Sequence, residues 1–454
     1  MTASTEVDVV VVGLGPGGEH AAARLAEGGL DVVAVESRLV GGECPYYGCV
    51  PTKMMLSAAE SLDEARRIPG RAGTVDVRPD WAPVADRIRD EATTDWDDTV
   101  AVERLTAAGA TFVRGHGRLA GERRVEAAGT TYVARRGVVL NPGTEPAVPP
   151  IDGLADTPYW TNRDVVRLTE LPGSLVVIGG GAIGVEMAQA LRAFGVEVTV
   201  LEAAPRLLAL EEPEASAALE QALAAGGVQV RTGVEIGSVR YADGGFTVEL
   251  GDGAVTGDKL LVATGRRPNL GDLGLDSVGL DPAARVLETD ERLRVTGSEG
   301  LWAIGDVTGK GAFTHMSMYQ AAVVVRDLLG QDGPWADYRA VPRVTFTHPE
   351  VASVGLSEAA ARDRGIDVRT SVDEGLGTRG WITQQGGLVK LVADREAGVL
   401  VGATVVGPAA GEIVSMLVTA VHAEVPVATL RAMHYAYPTL HRAVGAAVEG
   451  LDLA

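Results

Sequence analysis

Two stretches of the chain repeat one pattern: a short β-branched run, glycines spaced G-x-G-x-x-G, an alanine-containing stretch, and a second β-branched run closed by a glutamate. In the first copy Asp8-Val-Val-Val-Val12 leads into Gly13-Leu-Gly15-Pro-Gly-Gly18, the spacing predicts a helix over 19–27, and a strand over 31–35 ends at Glu36. In the second copy 174–178 leads into Gly179-Gly-Gly181-Ala-Ile-Gly184, a helix is expected through Ala193, and a strand over 197–201 ends at Glu202. The glutamate follows the first glycine by 23 residues in both copies. Such a loop suits a dinucleotide. The first two glycines allow a tight turn and close approach of a pyrophosphate to a helix N-terminus, the third lets helix and strand pack, and the acid accepts hydrogen bonds from a ribose. One match alone is weak evidence, whereas two in the same strand–loop–helix–strand context imply an α/β chain that holds two dinucleotides.

The 454 residues suggest about three domains at roughly 100–200 residues each. The segment Asn141-Pro-Gly-Thr-Glu-Pro-Ala-Val-Pro-Pro150 reads as a linker. It divides a first dinucleotide domain (1–150) from a second (151–265). The chain then returns to the first domain over 266–335, where a strand over 301–304 runs into Gly305-Asp306, and Asp306 is placed to bind a sugar or a phosphate-linked chain. Residues 336–454 alternate strand-like runs with an apolar helix over 411–421 and read as a separate α+β domain. A net charge of -21 repels a phosphate backbone, so nucleic acid is not expected as a partner. The run 9–12 is far shorter than the roughly 20 residues that span a bilayer, and 1–8 carries no basic leader, so a cytoplasmic protein with no membrane partner is expected.

There are two cysteines, Cys44 and Cys49, in Gly41-Gly-Glu-Cys44-Pro-Tyr-Tyr-Gly-Cys49-Val-Pro-Thr-Lys53. They are too few for a secreted disulfide scaffold and are arranged for neither a zinc ribbon nor a zinc finger, so no metal site is assigned. In a regular helix residues five apart have Cα atoms about 8–9 Å apart, beyond the about 4.4–6.8 Å of a disulfide. If they pair, the turn between them is distorted, which Pro45 and Gly48 permit, and an accessible disulfide of that kind is labile and catalytic.

With these motifs in view, the chain resembles the pyridine nucleotide-disulfide oxidoreductases, the family of dihydrolipoamide dehydrogenase, glutathione reductase and mercuric reductase. The resemblance runs over essentially the whole chain. It includes both fingerprints, the Cys-x4-Cys-Val-Pro-Thr-Lys segment, Glu186, Ala263-Thr-Gly265-Arg-Arg-Pro-Asn269, Ala303-Ile-Gly-Asp306 and Phe346-Thr-His-Pro-Glu-Val-Ala-Ser-Val-Gly355. It implies two Rossmann-like domains, for FAD and NAD(P), and a C-terminal α+β dimerisation domain that makes a homodimer. It implies FAD on Gly13, Gly15, Gly18, Glu36, Lys53 and Asp306, and the nicotinamide cofactor on Gly179, Gly181, Gly184 and Glu202. A hydride is expected to pass from nicotinamide to flavin and on to the disulfide, with Cys49 facing the flavin and Cys44 meeting the substrate. Lys53 and Glu186 resemble the ion pair beside the flavin ring. An acid at Glu202 accepts from a free 2'-hydroxyl but repels a 2'-phosphate, and Arg206 lies four residues on, so NADH is expected in preference to NADPH.

The sequence departs from the family in places that matter. Thiol-handling members end in a segment resembling His-Pro-Thr-x-x-Glu, whose histidine is acid and base for the substrate thiol. Here it reads Tyr437-Pro-Thr-Leu-His-Arg442. A tyrosine near pKa 10 needs a shift of about three units, roughly 4 kcal/mol, to act as base, so Tyr437 is expected to donate a hydrogen bond or form a polar wall, with His434 and His441 as possible substitutes. Mercuric reductases carry a tyrosine there too, but end in a vicinal cysteine pair that this sequence lacks. Glu43 stands where threonine is usual and is expected to raise the pKa of Cys44 and disfavour anionic substrates. Tyr46 and Tyr47 either stack on a planar acceptor or pack against the flavin domain. The expected function is an FAD-dependent NAD(P)H oxidoreductase that passes electrons through Cys44 and Cys49 to a small-molecule acceptor other than a standard dithiol. The alternatives are a dihydrolipoamide dehydrogenase-like enzyme with a relocated acid, and a slow-turnover FAD/NADH-binding redox sensor.

Overall fold

The computed structural model describes residues 3–454, and the chain packs into two compact units. The first gathers residues up to Pro51 with Asp86–Ala147 and Arg266–Asp337; the second gathers Thr52–Ala85, Val148–Gly265 and Tyr338–Ala454.

In the first unit the described residues form a seven-stranded sheet. Strands Thr111–Arg114, Val32–Glu36, Ala3–Val12 and Thr130–Leu140 lie side by side and parallel, and Leu301–Ala303 pairs parallel with the last of these. Arg124–Ala127 and Arg118–Leu119 continue the sheet antiparallel. The all-valine run 9–12 is what a parallel strand covered on both faces requires. Its alternation is visible in the packing: Val9 and Val11 join Leu14, Ala21 and Leu25 on one face, while Val10 and Val12 join Val33, Val35 and Leu140 on the other. The helix Pro16–Glu27 lies against the helix Thr314–Leu329 so closely that a Cβ on Gly17 would stand 2.2 Å from Ser317 Oγ. The first strand begins five residues before the expected Asp8, because 3–7 continue the pairing with 130–134.

In the second unit Gln229–Thr232, Glu197–Glu202, Ser174–Ile178 and Lys259–Val262 form a four-stranded parallel sheet, joined by an antiparallel meander over Ile236–Ala242, Gly245–Leu250 and Gly253–Gly257. A five-stranded antiparallel sheet follows in the order Pro342–Thr345, Glu350–Gly355, Val399–Gly407, Leu388–Asp394, Val368–Glu374. Helices Ala410–His422 and His441–Glu449 pack on it through Ile413, Val414, Leu417, Val444 and Val448. The segment read from composition as a linker is partly a strand: Thr144–Pro146 pairs antiparallel with Arg266–Pro268, drawing 266–268 into the first unit. Among the described residues no helix is long and apolar enough to cross a membrane.

Candidate active site

Both glycine loops have the same internal geometry. Gly13 and Gly179 sit at φ +88° and +114°, where a Cβ would stand 2.3 Å from the Asn141 carbonyl oxygen and 2.4 Å from that of Ala263. A Cβ on Gly18 or Gly184 would stand 2.0 Å from the carbonyl of Gly13 or Gly179 respectively. Packing within the chain therefore demands these four glycines. It presses far less on the middle ones. Gly15 and Gly181 have φ of -62° and -77°. A Cβ on Gly15 meets only the Asn141 amide, at 3.2 Å, and one on Gly181 meets nothing within 4 Å among the described residues. Each precedes a 12-residue helix that no side chain caps. Gly181, required neither by backbone nor by packing, leaves room at the start of its helix for a phosphate against the N–H groups there, and Gly15, where a Cβ would press only on a side-chain amide, holds the equivalent place in the first loop, so the residues present fit a dinucleotide in each loop.

The two carboxylates are held alike. Glu36 Oε2 accepts from Leu14 N–H at 2.7 Å and Oε1 from Arg38 N–H at 2.7 Å. Glu202 Oε2 accepts from Gly180 N–H at 2.5 Å and Oε1 from Ala204 N–H at 2.7 Å. Each is clamped between its glycine loop and the turn after its strand, with lone pairs left for a ribose. Arg206 is tied elsewhere, donating to the carbonyls of Ala209 (2.7 Å) and Glu211 (2.9 Å). Asp306 lies in a single 3-10 turn, Gly305–Thr308, and accepts from Thr144 Oγ at 2.6 Å. The buried Gln320 fixes that turn, accepting from Gly305 N–H at 2.6 Å and donating to Thr308 Oγ at 3.0 Å.

The cysteine segment is two helices rather than one. Glu43–Tyr46 makes a single turn, closed by Tyr47 N–H donating to the Glu43 carbonyl at 2.8 Å; Gly48 follows, and Cys49 opens the helix Cys49–Arg66. The break is the distortion that the sequence spacing calls for if the cysteines pair. Cys44 is half-buried and Cys49 exposed, with Cys49 Sγ 3.3 Å from the hydroxyl of Thr314, the first residue of the helix Thr314–Leu329. Tyr46 is buried; burial pushes its hydroxyl up to about 12, and its carbonyl accepts from Trp96 Nε1 at 3.0 Å. It is therefore unavailable for stacking, and only the half-buried Tyr47 keeps that option. Glu43 Oε2 lies 3.3 Å from Arg266 Nη2, so a cation offsets the carboxylate expected to act on Cys44.

In the second unit Lys53 Nζ meets Glu186 Oε2 at 2.6 Å and lies 4.7 Å from the centre of the Phe346 ring. The carboxylate of Glu186 is nearly buried, and its other oxygen accepts from Phe346 N–H at 2.8 Å. Gln189, one turn on, accepts from His348 N–H at 2.6 Å and donates to the His348 carbonyl at 2.7 Å. Tyr437 is 70% exposed and its hydroxyl lies 3.2 Å from Thr378 Oγ. His434 and His441 are exposed as well.

Residues 7–323 match the pyridine nucleotide-disulphide oxidoreductase family, and 341–448 match the dimerisation domain of the same family. The chain belongs to that family. It is therefore an FAD-dependent pyridine nucleotide-disulphide oxidoreductase, of a family that uses NAD(P)H. It is 34% identical to a dihydrolipoyl dehydrogenase of Thermus scotoductus, covering 98% of this chain and 97% of the relative. It is 34% identical to a mercuric reductase of Streptomyces lividans, covering 99% and 97%. Among solved structures it is similar to the HOCl-induced flavoprotein disulfide reductase RclA of Escherichia coli in a Cu(II) complex (TM-score 0.86, 25% identity, 98% of this chain and 99% of that one). It is also similar to LpdA of Mycobacterium tuberculosis (TM-score 0.86, 27% identity, 98% and 99%). These similarities agree with the flavoprotein disulfide reductase fold.

Several residues that build the site escaped the sequence reading. Asn141 belongs to a segment read as linker, yet it is buried; oriented with its nitrogen toward Ser317 Oγ and the Ile304 carbonyl, its oxygen accepts from Gly18 N–H at 3.0 Å. An asparagine directly after a buried strand and before Pro-Gly was the available signal. Thr144, Thr314 and Gln320 meet their partners only through tertiary contacts, and no local pattern marks them; Arg266 lies in the motif over 263–269, which gives no sign of its partners Glu43 and Thr144.

Proposed function

We propose that this oxidoreductase takes electrons from NADH and delivers them through a Cys44–Cys49 disulfide to a small acceptor other than a standard dithiol. The observation that carries this is the cysteine pair, placed at a break between two helices after the strand Val32–Glu36 that closes the first dinucleotide fingerprint. FAD, when bound, supplies a ring that accepts a hydride from reduced nicotinamide and hands on the electron pair. The chain's part is to hold the reactants. Gly13, Gly15, Gly18, Glu36 and Asp306 would carry FAD; Gly179, Gly181, Gly184 and Glu202 would carry the nicotinamide nucleotide. Thr314 steadies Cys49 as the inner sulfur, Cys44 meets the acceptor, and Glu186 holds the Lys53 ammonium as a fixed positive charge. Two electrons and two protons open the disulfide to two thiols.

Three further assignments belong to this reading. NADH is preferred over NADPH, supported by the clamped Glu202 carboxylate and by Arg206 being turned to the 209–211 backbone. Residues 1–150 with 266–335 form the FAD-binding domain, 151–265 the nicotinamide domain, and 336–454 the interface of a homodimer in the cytoplasm, supported by the match to a dimerisation domain. The acceptor is not a conventional dithiol because Tyr437, exposed in the single chain, stands where a thiol-handling enzyme needs a base. The classes that fit are quinones, metal complexes and unusual small disulfides.

The test is a pair of assays on the FAD-loaded enzyme. NADH-driven reduction of a quinone, a metal complex or a small disulfide is expected to exceed NAD-dependent oxidation of dihydrolipoamide near pH 8, and Tyr437→His is expected to raise the second activity. Robust dihydrolipoamide turnover by the unaltered enzyme would overturn the assignment in favour of a relocated acid, and rapid NADH reduction with no acceptor reoxidising the protein would point to a sensor.

A further inference from the structure

Glu43 is the residue next to Cys44, and it lies in the first unit with a set of polar partners that crosses the unit. Its carboxylate is 3.3 Å from Arg266 Nη2. Arg266 Nε donates to Thr144 Oγ at 2.7 Å, and its Nη2 donates to the Thr144 carbonyl at 2.9 Å. Thr144 in turn donates to Asp306 at 2.6 Å. The guanidinium is thus held in place by the strand pair 144–146/266–268, and its side chain is only 19% exposed. A fixed, poorly hydrated cation paired with the neighbour of a reactive sulfur can attract anionic reactants and stabilise a thiolate. Glu43 stands against that cation.

We infer that Glu43 is a specificity-determining residue: it masks Arg266 at the flank of Cys44, so that anionic acceptors lose the attraction Arg266 would otherwise give them and uncharged small acceptors are favoured. The inference rests on Cys44 being the sulfur that meets the acceptor. It refines the expectation drawn from sequence, in which the carboxylate alone opposed anions. With Arg266 opposite, the flank is balanced rather than negative, and its balance depends on both residues.

The test reads local potential at Cys44 without requiring turnover. In the FAD-loaded Cys49→Ser protein Cys44 is the sole cysteine of the chain. Its alkylation rates by anionic iodoacetate and neutral iodoacetamide are measured, and because both reagents attack the thiolate, their ratio cancels the thiolate fraction. Glu43→Gln is expected to raise the iodoacetate-to-iodoacetamide ratio about tenfold at low salt, the scale of a unit charge at several ångströms near a protein surface, and less in 0.5 M KCl. Arg266→Gln is expected to lower it similarly, and the double variant to return it to within about twofold of the parent. Arg266→Lys keeps the charge without the fork to Thr144, and it is expected to hold the ratio. A ratio unchanged by Glu43→Gln, or one that falls equally in Arg266→Lys and Arg266→Gln, overturns the inference. In parallel, thiols are counted in the native protein after anaerobic NADH reduction. Thiols gained with a flat ratio defeat the charge mask alone; a shifted ratio with no thiols gained supports the mask and defeats the redox reading.

Discussion

The two glycine loops share a sequence pattern and an internal geometry, yet they differ in what surrounds them. The first is enclosed. Asn141 lies beside Gly15, Ser317 presses on Gly17, and Gly42 folds over so that a Cβ on it would stand 2.8 Å from Gly15 Cα. The second is open at Gly181, and its helix Ala182–Ala193 instead uses Glu186 and Gln189 to grip Phe346 and His348. An enclosed cradle suits a group that stays, and an open one suits a group that comes and goes. Under the proposed function, the same local signal would serve a resident cofactor in one place and an exchangeable nucleotide in the other.

The largest effects are expected where the two loops agree. Gly18→Ala and Gly184→Ala each drive a methyl to 2.0 Å from a backbone carbonyl, and each is expected to cost about 1–3 kcal/mol or more of stability by urea denaturation. Unequal losses would break the equivalence of the loops. The difference between them shows next. Gly181→Ala is expected to leave stability within about 0.5 kcal/mol while weakening nucleotide binding roughly tenfold or more by titration, because the methyl occupies the space left for a phosphate. A stability loss matching that of Gly184→Ala would mean that the second loop is closed after all. Glu202→Gln is expected to shrink the NADH-over-NADPH preference in kcat/KM about tenfold, by removing repulsion of a 2'-phosphate.

The smallest effect concerns the grip on His348. Burial first, then the Arg67 guanidinium, holds this imidazole below its ordinary range, and Arg67 Nη1 donates to its Nε2 at 2.9 Å. The folded state therefore resists a proton that the unfolded chain accepts. Stability is full above about pH 6.5, the ordinary histidine value, and declines as pH falls from there toward the lower folded-state value. His348→Gln is expected to flatten that part of a stability-against-pH curve; an unchanged slope would assign it to other groups.

Much of this was legible in the sequence because the signals are local. Valine runs, glycine spacing and a terminal glutamate lie within one stretch of chain, and the helix over 411–421 shows its apolar face within a few turns. What escaped is what the fold brings together. Nothing around Glu43 announces Arg266, nor does Cys49 announce Thr314. The sequence leaves Tyr46 a choice between acceptor and core because four residues between two cysteines do not separate a buried ring from an exposed one; the structure buries it. Lys390 is a further case: within the otherwise apolar run 388–392 nothing local marks its partners, yet it is 2% exposed and held by Glu212, Glu214 and Glu358 at 2.8–3.0 Å. A buried ammonium of that kind is tolerable only with such partners.

The most direct test is a thiol count on the folded, FAD-loaded protein before and after anaerobic reduction by excess NADH. The account predicts a gain of two titratable sulfhydryls, abolished in both Cys44→Ser and Cys49→Ser. Full bleaching of the yellow colour with no gain in thiols would contradict it.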